Sequence, residues 1–448
     1  MTSEKKSLEV YNTMPVIQAV MRNIVPAVVS MLMVLVYNLA DTFFIGQTGD
    51  AYQVAAVSLA TPVFLLFMTL GTVFGIGGTS VISRALGRGE QQYAKQVCAF
   101  CMWSCIALGI VLSASFLIFM EPLLRLIGAS DKTWTYTKTY LTIVGAGGVC
   151  SIISSCFSNI LRAEGKATAA MTGQILGNAL NIVLDPLFIL GFSWDIAGAA
   201  WATVIGQAAA ALYYLFCYRS GKSELSIHIK NVRVGGGVCS GVLAIGVPAA
   251  LGSLLMSVSQ IIMNGLMAAH GDLALAGIGV AMKVTMITGM VCMGVGQGIQ
   301  PLLGYCTGAK NSGRFKAIMR FSLLIAFIIA AAMTALCYLF TKEIAGAFLT
   351  DRTALGYALT FSRILLSTGA LFGIFYVLLN ALQAMGAAVS SLIINVSRQG
   401  LIYIPALFIL HAVLGINGLV WAQPAADIIS TLCAVIMYRV SLKTYLDF

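Results

Sequence analysis

Apolar residues run along this chain in blocks of about twenty, each closed by a short polar break, and that is the length an α-helix needs to cross a hydrocarbon core. Twelve blocks can be delimited, at 17–44, 52–78, 96–119, 134–157, 168–190, 196–218, 239–264, 273–300, 318–340, 355–380, 388–410 and 416–437. The pattern predicts an all-α polytopic membrane protein with twelve transmembrane helices. One block departs from its neighbours. Gln174, Asn178, Asn181 and Asp185 recur at spacings of 4, 3 and 4, which on a helix draws one polar stripe about 16 Å long. Pro186 follows at once and removes the usual partner of the Ile182 carbonyl, so the helix is expected to kink or end there. A carboxylate inside a bilayer is costly and is generally retained for a function.

Composition adds the solvent. Charged residues make up 9% of the chain and the mean hydropathy is +0.93, where a soluble domain carries about 25% charge. The net charge of +10 does not point to nucleic acid, because the basic residues sit in short connectors and not in one patch; it reads as membrane orientation. Counted from a cytoplasmic N-terminus, inner connectors and tails hold seventeen Lys and Arg, including Lys5, Lys6, Lys222 and the Arg84-Ala-Leu-Gly87 connector, while outer connectors hold six. Both termini are therefore expected inside, and the polar start gives no sign of a cleavable leader. Cys98, Cys101 and Cys105 share a helix face and read as small packing residues. His228, His270 and His411 look isolated in connectors, so no histidine metal site is expected.

The chain also repeats. Val25-Pro26-Ala27 matches Val247-Pro248-Ala249 at an offset of 222, and Gly75-Ile-Gly77 matches Gly294-Val-Gly296 at 219. Leu161-Arg-Ala163 answers Leu382-Gln-Ala384 at 221, and Ile196-Ala-Gly198 with Trp201-Ala202 answers Ile416-Asn-Gly418 with Trp421-Ala422 at 220. Two pseudo-symmetric six-helix lobes follow, residues 1–220 and 238–448, joined by a cytoplasmic linker at 221–237. Six is even, so both lobes have the same orientation, one of the standard transporter plans. The glycine run at 71–78 lacks the Lys-Ser/Thr of a phosphate loop and reads as close helix packing.

Of the acidic residues, Asp41, Asp185 and Asp427 fall within or at the margins of apolar spans. Tyr37, Asn38 and Asp41 share one helix face. Spans one and five both run outward, so Asp41 and Asp185 come to similar depth, with Thr203, Gln207 and Tyr140 able to reach them. Two carboxylates in one polar pocket cannot both be ionised cheaply; they hold a proton or a hard cation, and H⁺ or Na⁺ is favoured over Ca²⁺, which usually takes more carboxylates. The second lobe does not repeat this arrangement: Met263 answers Asp41 and Ile404-Pro405 answers Asp185-Pro186. Met256, Met263, Met267, Met282, Met286, Met290 and Met293 instead make spans seven and eight Met-rich, a soft surface suited to varied apolar ligands. Lys283 and Arg398 are intramembrane cations able to pair with Asp427.

Asn38-Leu-Ala-Asp41-Thr-Phe-Phe-Ile-Gly46, Arg84-Ala-Leu-Gly87, Leu161-Arg-Ala-Glu-Gly165, Asn181-Ile-Val-Leu-Asp185-Pro-Leu-Phe-Ile189, Gly198-Ala-Ala-Trp-Ala-Thr203 and Gly298-Ile-Gln-Pro-Leu-Leu-Gly304 resemble the MATE (multidrug and toxic compound extrusion) transporters over essentially the whole chain. The resemblance implies a V-shaped pair of six-helix lobes and efflux of organic, often cationic, compounds driven by inward Na⁺ or H⁺. It also implies a cation site in the first lobe made by Asp41, Asn181, Asp185 and Thr203, with Tyr140 as neighbour; these would be the metal ligands if Na⁺ is used. The branch of the family with acids in spans seven and ten is not matched, since Met256 stands where the span-seven acid would be.

The sequence reading is thus a secondary antiporter of the cell membrane and not an enzyme, exporting amphipathic or cationic organic compounds. Asn38, Asn178, Gln207, Met256, Gln260, Met263, Met286, Lys283, Arg398 and Asp427 are expected to contact substrate. No cofactor is expected beyond the coupling ion. The partners are small organic substrates, the cation and lipid, with no nucleic acid, and a monomer is expected. A lipid-linked saccharide flippase would favour a more basic cavity, and a membrane transferase would need D-D-x-x-D or histidine metal motifs that this sequence lacks.

Overall fold

Helices fill every apolar block in the computed structural model, which describes residues 11–48, 50–220, 223–349 and 351–445; Lys5, Lys6 and Lys222 of the charge count lie outside these. In chain order the helices are α1 (Val16–Gly46), α2 (Ala51–Gly87), α3 (Gln91–Ile118), the short α4 (Met120–Leu126), α5 (Asp131–Ala146), α6 (Gly148–Ala163), α7 (Ala167–Pro186) and α8 (Asp195–Arg219). There follow α9 (Val238–Ala268), α10 (Asp272–Gly308), α11 (Ser312–Leu339), the short α12 (Thr341–Gly346), α13 (Arg352–Leu366), α14 (Gly369–Met385), α15 (Ala388–Val396), α16 (Tyr403–Leu414) and α17 (Ile416–Tyr445). Among the described residues ten helical segments are long and apolar enough to cross a membrane, and two bent pairs, α5 with α6 at 54° and α13 with α14 at 47°, complete twelve spans.

Local chemistry sets the helix starts. The Asp50 carboxylate accepts from the Tyr52 amide, and Asp351 accepts from the amides of Thr353 and Ala354. Ser130 and Thr133 form a capping box at the head of α5. Large apolar side chains on the outward faces, Leu212, Phe216, Ile118 and Val413 among them, remain exposed, as lipid-facing residues must. The expected Arg84-Ala-Leu-Gly87 connector is corrected: it is the last turn of α2, whose helix runs nine residues past the apolar block that ends at 78.

Two compact units emerge. The first comprises residues 1–13 and 32–246, the second 14–31 and 247–448, each taken over its described residues. Their membership departs from the sequence boundaries at two places, because the first half of α1 packs within the second unit and the start of α9 packs within the first. Inside the first unit α2 lies along α6, α3 and α5, and α7 pairs with α8; inside the second, α10 lies along α14, α13 and α11, and α16 pairs with α17. The repeated glycines make the exchanged contacts. A Cβ on Gly246 would stand 2.0 Å from the Val73 carbonyl oxygen in α2, and one on Gly77 2.1 Å from that of Val242. In the second unit a Cβ on Gly294 or Gly298 would stand 2.8 Å from the Cα of Val28 or Ile24 in α1. The glycine runs are helix-packing surfaces, as the sequence indicates.

The linker after α8 is fastened to the first unit. Glu164, buried at the end of α6, accepts from Lys166 Nζ at 2.7 Å, from Ser223 Oγ at 2.9 Å and from the Glu224 amide at 2.6 Å. Trp103 Nε1 donates to the Ile227 carbonyl at 3.1 Å.

Replacing Gly246 by Ala should lower the thermal unfolding temperature of purified protein, because the added methyl forces α9 away from α2 at a cost of about 1–3 kcal/mol. Gly235→Ala, with open space around its Cβ, should leave it unchanged. Equal unfolding temperatures for the two variants would count against the tight contact.

Candidate functional site

Polar residues from α1, α5, α7 and α8 gather inside the first unit. The stripe on α7 faces inward: Asn178, Asn181 and Asp185 are buried, whereas Val183, on the opposite face, is 64% exposed. Gly177 and Gly206 let α7 and α8 approach until a Cβ on either would come within 2.7 Å of the other's carbonyl oxygen. That contact brings Asn181 Nδ2 to Thr203 Oγ1, to which it donates at 3.4 Å. Tyr37 of α1 and Tyr140 of α5 bring their phenols towards the same Thr203, within reach of the charges of Asp41 and Asp185. Asp41 also lies close enough for its charge to act on Asp185.

The unmet bonding capacity of this cluster is its main chemical property. Both carboxylate oxygens of Asp185, Oδ1 of Asp41 and Oδ1 of Asn181 are buried and have no protein donor. Burying acceptor oxygens without donors costs several kcal/mol each when they are charged. A proton relieves the pair of carboxylates, and so does a small hard cation, for which two carboxylates, an amide oxygen and hydroxyls are the fitting donor set. Gln207 is half-buried one turn beyond Thr203, and Asn38 lies on the exposed side of α1. The regular α-helix ends at Pro186, as expected there, and the chain runs on in a π turn, Leu187–Gly191, in which the Phe192 amide donates to the Leu187 carbonyl at 2.9 Å. π turns cluster at functional sites because they free carbonyls from the regular ladder.

The second unit solves the same problem internally. At the repeat offset of 220, Arg398 stands where the first unit has Asn178, Asp427 where it has Gln207, and Gln423 where it has Thr203. Asp427 Oδ1 accepts from Arg398 Nε at 2.8 Å and from Gln423 Nε2 at 2.9 Å, and its Oδ2 accepts from Thr368 Oγ1 at 3.4 Å. The guanidinium lies 4.7 Å from the Phe375 ring centroid and 5.2 Å from that of Phe372, a cation–π setting that makes up part of its lost hydration. Of the two cations proposed for Asp427, Arg398 forms the pair; Lys283 lies 4.9 Å over the Phe348 ring.

Other expected contacts separate by exposure. Met256 is exposed, Met286 is half-buried, and exposed Gln260 donates to the Met282 sulfur at 3.7 Å. Met263, expected on the substrate face, is instead buried in the core among Ile278, Phe361 and Tyr403. Sequence reasoning missed two polar features: the buried Glu164, which lies in a connector between spans, and a contact between His270 and His411, which corrects their reading as isolated. His411 is in the last turn of α16, not in a connector. The signal available was topological, since both residues fall next to connectors on the same face.

A polytopic all-helical chain with two six-helix repeats and buried polar clusters within them has the plan of a secondary transporter. The MatE family model matches residues 26–187 and again 248–409, two segments of equal length 222 residues apart. The chain therefore belongs to the MATE family. The multidrug export protein MepA of Staphylococcus aureus (strain NCTC 8325 / PS 47) is 29% identical over 96% of this chain and 95% of its own. The MepA of Staphylococcus saprophyticus is 28% identical over 94% and 93%. Among solved structures, an outward-facing conformation of a multidrug resistance MATE family transporter of the MOP superfamily superposes with a TM-score of 0.93, at 24% identity over 99% of both chains.

Removing one partner of the Arg398–Asp427 pair should destabilise the protein by about 3–5 kcal/mol. In thermal unfolding, Arg398→Met should fall well below wild type, and Arg398→Met/Asp427→Leu should recover most of the loss. A double variant no better than the single would show that the ion pair is not what the fold leans on.

Proposed function

We propose that the protein exports amphipathic, often cationic organic compounds from the cytoplasm in exchange for inward H⁺ or Na⁺. The observation that carries this reading is the buried cluster of Asp41, Asn181, Asp185 and Thr203 with its donor-less oxygens. Emptied and unprotonated, two negative charges share a low-dielectric pocket, which strongly favours capture of a cation. Capture drives export only if the cation prefers one conformation of the transporter, because a ligand bound equally well in both shifts nothing. The Pro186 and π-turn segment next to Asp185 supplies a place where α7 can change shape. Substrate is assigned to the more accessible methionines, Met256 and Met286, with Gln260 beside them. Asp427 is assigned a structural role, since Arg398 already neutralises it. The relatives are named for multidrug export, which favours this reading over a lipid-linked saccharide flippase.

The test is transport in liposomes with imposed pH or Na⁺ gradients, reading dye movement. Asp41→Asn and Asp185→Asn should each abolish gradient-driven efflux while folded protein is retained, and Asn181→Ala should weaken cation-dependent thermal stabilisation less, because it removes a neutral ligand. Undiminished, still gradient-dependent efflux in both Asp variants would move the coupling site elsewhere.

We also place both termini on the cytoplasmic side of the cell membrane, on the strength of the basic asymmetry. A single cysteine at Asp131 in a background with the native thiols removed should react with an impermeant reagent from outside the cell. Reaction only in inside-out vesicles would overturn the orientation.

A further inference from the structure

The turn after α9 and the last turn of α16 meet through two imidazoles within the second unit. Nε2 of His270 lies 2.9 Å from Nε2 of His411, with the rings at 79° to one another and their centroids 5.1 Å apart. His270 is exposed, and its backbone is set by a turn in which its amide donates to Met267 and that of Gly271 to Ala268. His411 is half-buried, and its carbonyl accepts from the Gly415 amide where α16 ends. Two nitrogens at this spacing, 141 residues apart in sequence, share one proton when both rings are neutral: one Nε2 donates and the other accepts. If the donor ring moves its proton to Nδ1, both Nε2 lone pairs become free and no net proton is released.

Such a pair is the start of a metal site. Tetrahedral Zn²⁺ with bonds of about 2.0–2.1 Å sets two ligand nitrogens about 3.3 Å apart, so the rings need to part by only about 0.4 Å, a rotation that two side chains at a surface can make. Among the described residues no third His, Cys, Asp or Glu joins them, which leaves the other positions to water and makes the ion exchangeable. Imidazole ligation selects Zn²⁺, Cu²⁺ and Ni²⁺ over Mg²⁺ and Ca²⁺.

We propose that His270 and His411 form a two-histidine site for a borderline divalent transition-metal ion, which clips the end of α9 to the end of α16. On the topology given above the site faces the external medium; the binding itself does not depend on that topology or on the transport reading.

The experiment titrates full-length purified protein with ZnCl₂ by calorimetry, with MgCl₂ in parallel, and records the electron paramagnetic resonance of a Cu²⁺-loaded sample. Wild type should take up one Zn²⁺ per chain that is absent in His270→Ala and in His411→Ala, and its Cu²⁺ spectrum should carry splitting from two imidazole nitrogens that each variant reduces. His270→Gln keeps a hydrogen-bonding side chain in the turn, so it separates loss of metal from loss of fold and should also lose the Zn²⁺. Equal Zn²⁺ uptake in wild type and all three variants would overturn the site, as would uptake of Mg²⁺ at the same stoichiometry.

Discussion

A bilayer gives a buried oxygen nothing to bond to, so each polar atom in the spans must find its partner within the protein or wait for a ligand. The two units answer this constraint in opposite ways. In the second, Asp427 is surrounded by Arg398, Gln423 and Thr368 and carries its counter-ion on the same chain. In the first, Asp185 keeps both oxygens without a donor, and Asp41 and Asn181 keep one each. The duplicated plan therefore carries a carboxylate with a tethered counter-ion in one unit and, at positions the repeat does not match, carboxylates without one in the other. On the proposed reading this asymmetry is why exchange chemistry belongs to the first unit.

Helix contact is what gives that chemistry its geometry. Thr203 is reached by Asn181 only because Gly177 and Gly206 strip side chains from the α7–α8 seam. Tyr37 and Tyr140 bring phenols from two further helices to the same hydroxyl. At Pro186 the helix passes from α to π geometry, and just beyond it the non-glycine residues Ser193 and Asp195 stand at φ of 53° and 49°, so the route from α7 to α8 carries local backbone strain.

Much of this architecture is legible in the sequence. Hydrophobic block length located the twelve spans, because the hydrocarbon thickness imposes it; four in-order matches exposed the duplication; and 4-3-4 spacing put Asn178, Asn181 and Asp185 on one face. What escaped was tertiary. The bends between α5 and α6 and between α13 and α14 leave no mark in hydropathy. Arg84 belongs to a helix because α2 continues beyond the apolar run, where composition alone suggests a connector. Choosing Arg398 over Lys283 for Asp427 required knowing which helix faces meet, and burial of Met263 could not be separated from exposure of Met256 by residue type. Histidines distant in sequence carry no periodicity that would pair them.

The exchange of helix segments ties each repeat to the other half of the chain. The part of α1 up to residue 31 is packed with the C-terminal repeat, and residues 238–246 with the N-terminal one. A lone six-helix repeat would leave the backbone-tight surface around Gly294 and Gly298, or around Gly77, without the segment that fills it. Each repeat thus completes its tightest helix contacts with a segment that the other half of the chain encodes.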